Sequence, residues 1–155
     1  SRGPLEVDMY SPRAFPVLAA LVLLCASTLP AEEGPSLVGS WKAAKYDGEA
    51  KDEAYLWTFS ADGKWSCVVK DGDDTEYQAE GTYTTDTSVT PNRIVVTVTK
   101  EDGDQKNDKY YGAFRAEKGA LLLKHSTKAN AETPDYPRTL DVEDDFDTYE
   151  LVENK

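Results

Sequence analysis

From Gly39 onward, apolar and polar positions alternate with a period of two. Lys64-Trp65-Ser66-Cys67-Val68-Val69-Lys70 alternates, and so does the run Glu76-Tyr77-Gln78-Ala79-Glu80-Gly81-Thr82-Tyr83. Successive side chains of a strand point to opposite faces, so Trp65, Cys67, Val69, Tyr77, Ala79, Gly81 and Tyr83 share one face. The other face is Lys, Ser, Glu, Gln and Thr, the pattern of antiparallel strands with one wet side. Between the runs stand Asp47-Gly48, Asp62-Gly63, Asp71-Gly72, Asp102-Gly103, Lys118-Gly119 and Pro91-Asn92, which supply turn chemistry. Strands are predicted over 40–46, 55–60, 64–70, 76–84, 93–100, 109–116, 120–126 and 148–153. Eight strands with mostly short links predict an all-β fold, an antiparallel up-and-down barrel closed on itself so that no edge is left exposed. The stretch 127–147, with Pro134 and Pro137, is the one long connection, and long loops in compact domains are often functional. It has room for a short helix or 3₁₀ turn. No helix is expected elsewhere, and there is no internal repeat.

The stretch before the strands reads as an address. After Met9 come Arg13, an apolar run from Phe15 to Leu24, and Leu29-Pro30-Ala31 ahead of Glu32, the layout of a secretory signal cleaved near Ala31. Pro16, Ser27, Thr28 and Pro30 thin this segment below the ~20 predominantly apolar residues of a spanning helix. Cys25 raises lipid anchoring, but Leu24 stands where lipoprotein processing requires a small residue, which argues against it. The expected division is 1–8 as a cloning remnant or mis-called start, 9–31 as signal peptide, and 37–153 as the barrel domain. The expected location is periplasmic, cell-envelope or secreted. Cleavage would leave Cys67 as the only cysteine and so no internal disulfide. Its place between Trp65 and Val69 predicts a buried, unreactive thiol.

Charge narrows the partners. The 155 residues hold 17 Lys and Arg against 29 Asp and Glu, a net charge of −12. Nucleic acids and anionic membrane surfaces are held by basic clusters, so neither is an expected partner. Three Trp, nine Tyr and four Phe supply bulk for a core and argue for a folded domain, expected as a monomer.

Leu37-Val38-Gly39-Ser40-Trp41-Lys42 resembles the G-x-W opening of lipocalins and fatty-acid-binding-type barrels. The chain as a whole is similar to a family of small exported bacterial lipocalin-like domains of uncharacterised function. The similarity runs through the 55–69 hairpin, Glu80-Gly81-Thr82-Tyr83, and Pro91 before the apolar strand 94–98. It continues through Tyr111-Gly112-Ala113-Phe114, the Gly-led strand 119–123 and Tyr149-Glu150-Leu151. The resemblance covers about residues 37–153 and implies an eight-stranded lipocalin-like barrel, with no activity to carry over. The basic residue that packs over the opening Trp in lipocalins has two candidates here, Arg115 and Arg138.

Little in the chain points to catalysis. His125 is the single histidine, expected at a rim, and its neighbour Ser126 should face the opposite way, so no nucleophile–base pair is predicted. One His and one Cys on separate strands make a poor start for zinc. The acidic runs 71–74, 101–104 and 141–147 do not match the EF-hand loop: with Asp71 first, Glu76 stands where that loop needs Gly. Solvated turns explain most of these acids, with weak Ca²⁺ binding at 141–147 as the other reading. No cofactor motif is present, and a non-enzyme is expected.

Two readings of the barrel interior stand. In one, the interior or mouth takes a small, partly apolar molecule. Its candidate pocket is Trp57, Trp65, Tyr77, Tyr83, Tyr110 and Phe114, with Arg115 or His125 as polar contacts. Gly81 and Gly112, each two residues before an aromatic, would leave local room. In the other, the barrel is filled and the domain is an envelope or extracellular protein-interaction or structural module. An eight-stranded barrel is wide enough for either.

Overall fold

The computed structural model describes residues 36–50 and 54–155. The segments assigned to a start remnant and a secretory signal lie outside the described residues. The strands are β1 (Gly39–Tyr46), β2 (Glu49–Ala50), β3 (Ala54–Phe59), β4 (Lys64–Asp71), β5 (Asp74–Asp86), β6 (Asn92–Glu101), β7 (Asp104–Glu117), β8 (Ala120–Ser126) and β9 (Phe146–Glu153). Each pairs antiparallel with the next from β3 to β9, β3 pairs with β1, and β1 pairs with β9. The sheet thereby closes into an eight-stranded up-and-down barrel of lipocalin-like form. The ninth element, β2, is two residues that pair with Lys45 and Tyr46 on the edge of β1 that β3 uses. Its turn, Asp47-Gly48, and the β6–β7 turn, Asp102-Gly103, have both central residues at positive φ, which matches the twist of the strands they join. That fit extends β7 to 14 residues, well beyond the 109–116 expected.

Alternation sends one residue in two to the barrel axis. Trp41 pairs with Glu153 of β9 and Trp57 of β3, so it sits at the seam where first and last strands meet. It is 4% exposed, and its Nε1–H donates to the Leu37 carbonyl at 2.9 Å. Phe59, Ile94, Phe114, Leu121, Leu123 and Leu151 fill this end of the barrel. The end that carries the β4–β5 and β6–β7 turns is not filled.

Residues 127–145 have room for a short helix or 3₁₀ turn and form neither; a lone bridge between Glu143 and Phe146 is their regular pairing. They form a strap on the outer wall of β7 and β8. Tyr136 packs edge-on to Tyr111, with the Arg93 guanidinium 4.6 Å from its ring centre. Lys124, on the outer face of β8, is fully buried under the strap. Its ammonium donates to the Asp141 carbonyl at 2.6 Å, pairs with Glu143 at 3.0 Å and lies 5.0 Å from the Phe146 ring centre. A position that alternation assigns to solvent is covered by a segment from elsewhere in the chain.

Candidate functional site

The unfilled end holds a cavity of about 450 Å³ that opens to solvent. Its floor is Trp57 and Trp65, neighbours on β3 and β4 whose rings stack with centres 5.5 Å apart. Cys67 and Val69 from β4, with Val96 and Val98 from β6, form apolar walls. Tyr149 and His125 face each other from β9 and β8, their rings 5.7 Å apart, and Tyr149 meets Trp57 edge-on. Tyr55, Tyr77, Tyr110, Glu76, Thr127 and Asp147 stand toward the mouth.

Of the residues expected around a pocket, Trp57, Trp65, Tyr77, Tyr110 and His125 line this one. Three do not. Tyr83 points inward but belongs to the packed end, where its hydroxyl donates to the Ser60 carbonyl at 2.8 Å and its ring meets Phe59 edge-on. Phe114 is 4% exposed within the packed core, paired across strands with Leu123. Arg115 lies on the outer face, exposed and ion-paired with Glu117 at 2.8 Å. Adjacent residues of a strand cannot share a face, so Phe114 inside puts Arg115 outside.

The room expected beside Gly81 and Gly112 is also absent. A Cβ on Gly81 would overlap the Thr97 carbonyl oxygen, and one on Gly112 would overlap the Lys124 carbonyl oxygen. Both glycines mark close approach of neighbouring backbones, and Gly81 sits where β5 shifts register against β6.

The lining residues outside the sequence reading divide by their signal. Tyr55 and Tyr149 follow from the same alternation as Trp57 and Leu151, and Asp147 stands two residues before Tyr149. Glu76 had no such signal. A register shift between Val69 and Lys70 against β5 places Glu76 beside Tyr77 on the cavity. Bulges re-aim side chains in this way.

Hydrogen bonds tie the phenols to carboxylates. Tyr77 donates to Glu101 at 2.9 Å and Tyr46 donates to Asp147 at 2.8 Å. Burial, followed by nearby carboxylates, holds the hydroxyls of Tyr46, Tyr77 and Tyr149 protonated well past their ordinary range and pushes that of Tyr110 upward. Burial alone pushes the Cys67 thiol up to about 12. His125 Nδ1 lies 3.0 Å from the Ser126 carbonyl, an arrangement that suits the tautomer with the proton on Nδ1. The Ser126 hydroxyl is on the outer side, donating to the Lys128 carbonyl at 3.0 Å. The buried Trp57 Nε1–H has no hydrogen-bond partner among the described residues.

Among the described residues, no three His, Cys, Asp or Glu side chains gather into a group that could hold a metal ion. In the acidic run 141–147, Glu143 is engaged with Lys124 and Asp147 with Tyr46. The arrangement suits enclosure of a partly apolar body: aromatic faces on several sides, carboxylates at the mouth, and the His125 imidazole beside Trp57 and Tyr149. Compared with protein-family models, curated proteins and solved structures, the chain matches none.

Proposed function

We propose that this protein is an exported, non-enzymatic lipocalin-like domain that binds one small, partly apolar molecule in the open half of its barrel. The observation that carries the reading is the half-filled interior. Aromatic side chains wall a space of about 450 Å³, which falls in the range of roughly 300–1,000 Å³ for small-molecule sites. Stacked Trp57 and Trp65 give a rigid floor, so little ordering entropy is lost when a ligand enters. The similarity of 37–153 to small exported bacterial lipocalin-like domains supports the same reading, and the 9–31 pattern supports export. Binding rather than catalysis suits a site whose single imidazole faces a backbone carbonyl and whose nearest hydroxyl neighbour in sequence, Ser126, points away.

Titration with the neutral fluorophore N-phenyl-1-naphthylamine tests this. The folded domain should bind it saturably with a stoichiometry near one. Val98→Phe, which adds a ring into the cavity, should abolish binding while leaving a cooperative denaturant melt. Absence of saturable binding to the folded wild type would remove the proposal in favour of an envelope or extracellular interaction module. Binding unchanged in Val98→Phe would place the probe outside the barrel, with the same consequence.

A further inference from the structure

We propose that the occupant of the cavity is an organic cation, an amine or quaternary ammonium group carried on an aromatic or apolar body. The inference rests on the binding reading above and adds the charge of the ligand.

Among the described residues, the lining contains no Lys and no Arg. Its ionisable groups at the mouth are the carboxylates of Glu76 and Asp147, and behind them stand Glu101, bonded by Tyr77, and Asp108, bonded by Asn130 Nδ2 at 2.8 Å. Lys106, 3.4 Å from Glu101, opposes them at this rim. His125, the one base among the described lining residues, has Nδ1 turned to the Ser126 carbonyl. The described charges around the mouth are therefore mostly negative, and the Tyr110 hydroxyl stands among them. After burial, its proton is held by Asp108, Glu101 and Asp147, with Lys106 acting the other way.

The walls reinforce the sign. The faces of Trp57, Trp65, Tyr55, Tyr77, Tyr110 and Tyr149 carry the negative side of the ring quadrupole, which attracts ammonium groups, most of all where water is excluded. The phenols of Tyr46 and Tyr77 direct their protons to carboxylates, so those donors are already committed. A fatty-acid-like anion entering here would lose its hydration with no fixed cation to replace it, an uncompensated burial of charge. An ammonium group would find two carboxylates at the mouth and aromatic faces below them.

Three ligands with one ring body separate charge from shape: tryptamine, 3-propylindole and indole-3-propionate. Each is measured by displacement of N-phenyl-1-naphthylamine from the wild-type domain and from Glu76→Gln and Asp147→Asn. Glu76 is exposed, so its variant remains informative even if Asp147→Asn, which disturbs the Tyr46 bond, fails to fold. Tryptamine should bind at least tenfold more tightly than indole-3-propionate at low salt, with 3-propylindole between them. Either variant should weaken tryptamine severalfold and leave 3-propylindole unchanged. Probe binding without displacement by tryptamine would overturn the charge assignment alone. So would an anion bound as tightly as the cation, or a tryptamine-to-3-propylindole ratio indifferent to Glu76→Gln. Failure of the neutral probe itself would overturn the binding reading and this inference with it.

Discussion

The indole Nε1–H of Trp65 donates to the backbone carbonyl of Thr97 at 3.2 Å, reaching from β4 past β5 to β6. It can do so because the residue between them is Gly81, whose missing side chain would otherwise occupy the space beside that carbonyl. The same bond holds one of the two rings that floor the cavity. Backbone irregularity and site geometry are thus coupled through a glycine.

Gly81→Ala should therefore destabilise the barrel and disturb the cavity together. The new Cβ meets backbone, which cannot rotate away, so a cost of about 1–3 kcal/mol is expected from overpacking and from the strained Trp65 bond. Urea melts measure the cost, and Trp fluorescence reports the indole environment. A melt and spectrum like those of wild type would mean that the close approach of β5 and β6 is wrong.

Trp41→Ala should cost about 3–5 kcal/mol, since a large buried side chain is lost at the seam between β1 and β9. Trp41→Phe keeps much of the ring and loses the bond to the Leu37 carbonyl, so about 1 kcal/mol should separate it from wild type beyond the lost area. Chemical denaturation of both variants decides the matter; an alanine shift under about 1 kcal/mol is incompatible with Trp41 closing the barrel.

Lys124→Met should loosen the strap more than the barrel. The apolar stem stays buried, but the donation to the Asp141 carbonyl and the pair with Glu143 disappear. Hydrogen exchange at the Thr127 and Phe146 amides, which bond to the Asp145 and Glu143 carbonyls, should accelerate, with a smaller change in the β3–β6 ladder. The bond to Lys124 holds the Glu143 carboxyl below its ordinary range. A depressed carboxylate stabilises above its unfolded pKa and loses that effect as pH falls, so acid should mimic the substitution. Exchange unaltered in Lys124→Met would show that other contacts anchor the strap.

Alkaline pH should destabilise the domain. Tyr46, Tyr77, Tyr83, Tyr110 and Tyr149 all hold their protons more tightly when folded, chiefly through burial, and Cys67 is pushed up to about 12. The unfolded chain releases these protons first, so stability is intact below the unfolded pKa values and falls as pH rises through ~10. Denaturant midpoints should drop between about pH 8 and pH 10.5, and tyrosinate absorbance should rise with unfolding rather than before it. Equal midpoints would mean that the phenols are solvated in the native state.

The alternation of side chains and the spacing of Gly-containing turns determined the strand order, the closed barrel and the inward face of Trp57, Trp65, Tyr77, Tyr110 and His125. These are local properties: a period of two and a turn type need only neighbouring residues. Alternation also bears on Arg115, since an inward Phe114 excludes it from the same face. What local pattern does not carry is height along the barrel axis, which follows from the stagger of every strand against its neighbours. Tyr83 and Tyr77 share a face of β5, yet one packs on Phe59 at the filled end and the other lines the cavity. The bulge that turns Glu76 inward, the backbone contacts that leave no room beside Gly81 and Gly112, and the strap that buries Lys124 were likewise decided by tertiary structure. Each depends on a chain segment distant in sequence arriving within contact distance, and no periodicity within a strand encodes that arrival.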